Sequence, residues 1–207
     1  MKTFAKFVSK NTTQGLKIFR HHTEFRSENG PGDAIGLVCM MNPGDARPIS
    51  DTIFNHLQKS EYNTVDYVLT KPDKTMSKAI RLVKAAFEHN AISLPNTYTI
   101  HVENLFNIRE KDSKKAIKFA KTLRETSEIM YKSRILNPSY HFVFLAWGNI
   151  DINEEKQNLL MNSYSNAIKV NKLNHKGQLL EVNYPVHPLY MNTNFFLEAT
   201  NQRIIGF

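Results

Sequence analysis

Cysteine is almost missing from this chain: among 207 residues only Cys39 carries a thiol. One thiol can build neither a disulfide framework nor a thiolate metal cluster within the chain, and a reducing, cytoplasmic setting is the expectation. Long apolar runs are missing too, since none approaches the ~20 residues a membrane span needs. The start, Met1-Lys2-Thr3-Phe4-Ala5-Lys6, has charge but no sustained hydrophobic segment or small-residue cleavage site, so it does not read as a signal peptide. No His-Glu-x-x-His pair occurs, and His21 and His22 are adjacent, a poor geometry for two ligands of one metal. No glycine-rich phosphate loop is present, because Gly30 and Gly32 precede a strand instead of a helix. A Gly-x-Ser-x-Gly elbow is absent, and Cys39 lies mid-strand, where a catalytic thiol is inaccessible. Acidic residues are in deficit: 27 Lys and Arg stand against 19 Asp and Glu, a formal charge of +8. Such a balance is compatible with a polyanionic partner such as nucleic acid. The row Lys114, Lys118, Lys121 at helical spacing reads as a solvated helix face.

What is present is a regular alternation of strands and helices. Residues 1–15 show no clear period, and Gly15 to Arg20 reads as a strand at a sheet edge. Residues 1–33 are therefore expected as an N-terminal extension with an edge strand. Ser27 to Asp33 is dense in turn formers. Ala34 to Met41 is an apolar run of the length expected for a buried parallel strand. Asp51 can cap a short helix through about Lys59, and Tyr67 to Leu69 sits as a short strand in a long connection. Met76, Ile80, Val83 and Phe87 place an amphipathic helix over 74–89. Tyr98 to Val102 is a second strand. A helix capped by Asp112 or Ser113 follows and is stopped by Asn137-Pro138. His141 to Trp147 is a third strand, Asp151 to Lys169 a helix, Gln178 to Val182 a fourth strand, and Thr193 to Thr200 a last helix. This order predicts one α/β domain over 1–207, three layers α/β/α, with a central four-stranded, mainly parallel sheet.

A parallel sheet brings its strand ends to one edge, where open α/β sheets bind ligands. The four ends carry Asn42, Asn104, Gly148 with Asn149, and His187. Two amides and an imidazole make a polar cluster in an apolar wall, the usual form of a ligand pocket. An amide can donate to and accept from the edge of a planar heterocycle, and an imidazole can donate to an oxygen that becomes negative. Each also has an ordinary use: Asn42 with Pro43 and Gly44 forms a turn, Asn104 can satisfy buried backbone groups, and Asp51 can simply cap its helix. Trp147 reads as core packing, and His101 and His141 as strand histidines.

Cys39-Met40-Met41-Asn42-Pro43-Gly44 with Asp51-Thr52, Asn104-Leu105-Phe106, Ala146-Trp147-Gly148 and His187-Pro188-Leu189-Tyr190 resemble the domain-of-unknown-function family 1643. The same landmarks are similar to those of the uracil-DNA glycosylase superfamily, and the resemblance runs from about residue 16 onward. It implies that superfamily's fold and a role for each matching residue. Asn42 would position the attacking water, more slowly than a carboxylate because an amide is a poor general base. Asn104 would read the edge of a flipped pyrimidine, and His187 would stabilise negative charge on the departing base. Leu189, Tyr190 or Met191 would fill the emptied stack, with Arg47 as a further DNA contact. Phe54 would stack under the base, Asp51 would hold the Asn-Pro-Gly loop, and the small Gly44 would open the pocket to larger or modified bases.

Two functions follow. One is a glycosylase-type hydrolase that cleaves an N-glycosidic bond with water, needs no metal or organic cofactor, and takes DNA foremost as its partner. Its setting would be repair or antiviral defence. The other is a non-catalytic nucleic-acid or nucleotide binding module on the same fold, motivated by the missing carboxylate at position 42. Neither involves a membrane.

Overall fold

The computed structural model describes residues 1–59, 64–137, 139–164, 166–169, 172–173, 179–180, 184–204 and 206. The strands are β1 (Lys2–Lys10), β2 (Lys17–Arg26), β3 (Ala34–Met40), β4 (Arg47–Pro48), β5 (Thr64–Lys71), β6 (Thr99–Asn104), β7 (Phe142–Ala146), β8 (Lys172–Leu173) and β9 (Leu179–Leu180). The helices are α1 (Asp51–Leu57), α2 (Lys74–His89), α3 (Ser113–Thr122), α4 (Ser127–Met130), α5 (Glu154–Ser163) and α6 (Thr193–Thr200). Seven strands form one mixed sheet in the order β4-β5-β1-β2-β6-β3-β7. Only the β6–β3 and β3–β7 pairings are parallel; the other pairings are antiparallel.

The expected four-stranded, mainly parallel sheet is thus corrected in two ways. The N-terminal residues are no edge: β1 and β2 lie inside the sheet, with β2 hydrogen-bonded to both β1 and β6. In β1, Thr3, Ala5, Phe7 and Ser9 are buried while Lys2, Phe4, Lys6 and Val8 are less so. The burial alternates with period two, but small polar residues on the inner face and apolar ones on the outer face erase the hydropathy signal. Second, Leu179–Leu180 pairs with Lys172–Leu173 in a separate antiparallel ribbon, while Gln178, Glu181 and Val182 lie outside the described residues. The residue that meets the free edge of β7 is Ile168, whose N–H donates to the Val143 carbonyl and whose carbonyl accepts from Leu145 N.

The sheet is covered on both faces. Val38 and Met40 of β3, Ile100 and Val102 of β6, and Phe144 of β7 pack with Met76, Val83 and Phe87 of α2 and Phe196 of α6. Leu37, Cys39, Val143, Leu145 and Trp147 pack on the other face with Ala116 of α3, Met130 of α4 and Leu160 of α5. Burial pushes the Cys39 thiol well above its usual range, so it behaves as a small apolar residue. α3 stops at Thr122, short of Asn137, because Leu123 leaves helical geometry and buried Thr126 turns its hydroxyl onto the Leu123 carbonyl at 2.8 Å. α5 ends at Ser163, releasing Ile168 to pair with β7. Among the described residues no helix is long and apolar enough to cross a membrane.

Gly36 pairs with Phe142 across β3 and β7, and a Cβ added to it would overlap the Phe142 ring. Gly36→Ala should therefore cost about 1–3 kcal/mol of stability, read from the urea midpoint; an unchanged midpoint would contradict this packing. Burial also holds the His21 and His101 imidazoles down at about 4. The unfolded chain, with histidines near 6.5, then binds protons that the folded chain refuses between those values. Stability is expected to fall as pH drops from about 6.5 toward 4, checked by urea titrations across that window; a flat profile there would refute it.

Candidate functional site

A cleft of about 860 Å³ opens where β3 and β7 end. From β3 the chain supplies Met41, Asn42 and Gly44, and from β7 it supplies Trp147, Gly148 and Asn149. Thr75 contributes from the first turn of α2, Lys111 and Ser113 from the start of α3, and Asn192 from the cap of α6. Tyr184, Val186, His187, Leu189, Tyr190 and Met191 close the remaining side. Helix N-termini carry partial positive charge. Lys111 adds a full positive charge to this wall, while the helix starts themselves are capped by Asp73, Asp112 and Asn192.

Asn42 Nδ2 donates to the Glu110 carbonyl at 3.0 Å. The amide is therefore oriented, and its oxygen is left as an acceptor. His187 is brought in by Gly148. That glycine adopts φ +82, and a Cβ there would press on the His187 Cβ at 3.3 Å. Gly148 N also bonds the Pro185 carbonyl at 2.8 Å, tying the end of β7 to the His187 segment. The His187 imidazole is held below its ordinary value by burial, partly offset by the Asp73 carboxylate. Its Nδ1 accepts from Leu189 N at 3.4 Å, which assigns the proton of the neutral ring to Nε2. The ring of Tyr190 lies 5.9 Å from that of His187.

Of the residues singled out in the sequence, Asn42, Gly44, His187, Leu189, Tyr190 and Met191 line this one cleft. Leu189 is 47% and Tyr190 81% exposed, whereas Met191 at 5% belongs to the core. Asn104 does not line the cleft: it is 2% exposed at the end of β6, and its Oδ1 has no partner among the described residues. By strand alternation it shares the α2 face with Ile100 and Val102. Phe54 and Asp51 lie on α1, away from the cleft. The Phe54 ring is already covered by the Arg47 and Arg109 guanidiniums, at 5.1 and 4.9 Å. Asp51 pairs with Arg47 at 2.7 Å and leaves the capping of α1 to Ser50. Arg47 lines a smaller adjoining pocket instead.

Gly44 does not open the pocket as the sequence suggests. The space its missing side chain leaves is filled by Asp73 Oδ2, and the backbone there has φ +62. Asp73 Oδ1 caps α2 by accepting from Met76 N at 2.9 Å. The three helix starts are legible as helix starts, but the strand-end argument places neither them nor Asp73 at the site. Their signal was present in Asp73-Lys74-Thr75 and Asp112-Ser113, capped helix beginnings that an α/β connection places at the ligand-binding edge. Among the described residues, no three His, Cys, Asp or Glu side chains gather as a metal site. No family model, curated protein or solved structure matches this chain.

Gly44→Ala should force a left-handed Ala backbone and push Asp73 off the α2 cap. The expected loss is about 1–3 kcal/mol, read by thermal denaturation. Wild-type stability in this variant would show that the contact does not matter.

Proposed function

We propose that the cleft receives a base of DNA and that Asn42 and His187 act on its N-glycosidic bond. The observation that carries this reading is their convergence: an oriented amide oxygen and a neutral imidazole with its proton on Nε2 line the same cleft. Asn42 Oδ1 would accept from a water and aim it at the anomeric carbon. As the new C–O bond forms, the C–N bond breaks, its electron pair leaves with the base, and the water's surplus proton passes to solvent. His187 Nε2–H would donate to the base oxygen on which that charge develops, and Leu189 or Tyr190 at the rim would occupy the gap left in the stack.

A binding module without turnover is the second reading, and one observation favours it. No carboxylate lines the cleft among the described residues, and Asn104 is not in its wall. Without a general base, hydrolysis would rest on water orientation and leaving-group stabilisation alone.

Duplexes carrying uracil, mismatched thymine or bulky 5-modified pyrimidines separate the two. Abasic-site formation by the wild-type protein is expected, reduced about 10²-fold in His187→Ala and also lowered in Asn42→Ala. DNA binding with no abasic product on any substrate, by protein shown to be folded, would select the binding module.

A further inference from the structure

Next to the cleft lies a pocket of about 340 Å³ lined by Asp45, Ala46, Arg47, Lys71, Pro72, Asp73, Lys74 and Arg109. The two hollows share their dividing wall. Gly44 faces the cleft and Asp45 to Arg47 face the pocket, while at the start of α2 Asp73 and Lys74 face the pocket and Thr75 the cleft. The cations are held in place. Arg109 donates from Nε to the Ala46 carbonyl at 3.0 Å and from Nη2 to the Asp45 carbonyl at 2.8 Å. Arg47 and Arg109 both lie against the Phe54 ring, and the Arg47–Lys71 pairing of β4 with β5 sets two cations side by side.

A fifth cation stands behind this wall. Arg20 of β2 is fully buried, its Nη1 lies 2.9 Å from Met76 Sδ, and its Nε and Nη2 have no partner among the described residues. The charged groups that act on it, Asp73, Arg109 and Asp45, all line the small pocket. Burial lowers its pKa only to about 10, so it stays charged at neutral pH. Asp45 and Asp73 therefore do not make the pocket acidic: Arg20 offsets them from within. Asp73 is further committed to the α2 cap, and Asp51 to Arg47. Lys71, Lys74 and Arg109 leave an excess of positive charge in this hollow, the donor chemistry that recognises a tetrahedral anion.

We propose that this pocket takes a backbone phosphate of the same polynucleotide whose base enters the neighbouring cleft, with Lys71, Lys74, Arg47 and Arg109 as its contacts. The assignment rests on the cleft being a base site and adds the path of the strand across the Gly44–Asp73 wall.

The test uses the Lys71→Ala/Lys74→Ala double variant, whose side chains touch neither Asn42 nor His187, and a fluorescein-labelled oligonucleotide followed by anisotropy over a salt series. Arg81→Ala/Lys84→Ala, which removes equal charge further along α2, serves as control, and circular dichroism melts verify folding. Affinity is expected to weaken about tenfold in the first variant, with the slope of log K against log salt reduced by about 1. The control and binding of an unphosphorylated nucleoside should change little. If the wild type binds the oligonucleotide and the first variant binds it equally well, or no worse than the control, the phosphate pocket is wrong while the base site stands. If the wild type binds no oligonucleotide at low salt, both fail.

Discussion

The contact between the Asp73 carboxylate and the bare Cα of Gly44 is the constraint on which this architecture turns. A left-handed glycine at the end of the β3 turn lets the cap of α2 close against the chain, and no side chain fits between them. One oxygen of Asp73 satisfies the helix start and the other seals the turn. That single placement fixes where α2 begins, which residues of its first turn face the cleft, and how far Asn42 stands from the helix. The buried Arg20 guanidinium interacts with the Asp73 charge at this junction, which links β2 in the middle of the sheet to the rim of the site.

The opposite face is organised by a different logic. Glu103 of β6, 3% exposed, receives Lys156 Nζ at 2.6 Å, and the same ammonium donates to the Asn104 carbonyl. Arg134 approaches Glu24 and Glu103 at 3.5 and 3.8 Å and donates to the Thr23 carbonyl at 2.9 Å. Buried ion pairs add little net stability once desolvation is counted, but removing one partner leaves an uncompensated charge. Their effect here is positional: they lock α5 and the Arg134 segment to β2 and β6.

How much of this was legible in the sequence follows from which signals are local. α2 and α6 are matched to the residue because their apolar spacing and caps are contained within one segment, as is the Asp112 cap of α3. The apolar runs of β3 and β7 are likewise visible, since strands buried on both faces carry unbroken apolar residues, and β6 is visible from its β-branched residues next to Tyr98. β1 and β2 were not visible as interior strands, because their inner faces hold Thr3, Ser9, Arg20 and Thr23, polar groups that tertiary packing buries. At the site, Asn42 and Gly44 were readable from the end of β3, whereas His187 reaches the cleft through the Gly148 segment and not from the end of a sheet strand. Asn104 ends its strand as expected, yet alternation sends its amide under α2, which a strand-end argument does not resolve. Asp73 escaped because its importance comes from a glycine remote in sequence.

The position of β6 between β2 and β3 has a consequence for the order of assembly. β2 and β3 follow one another in the chain, yet they do not pair; the place between them is filled by residues 99–104. During synthesis residues 17–40 therefore hold two strands whose facing edges stay open until α2 and its successor emerge. Left so, those edges would readily zip to each other or to a neighbouring nascent chain. The charged and polar side chains of β2 that obscure it as a strand are suited to keeping that premature union weak, at the expense of a slower, insertion-limited closure of the sheet.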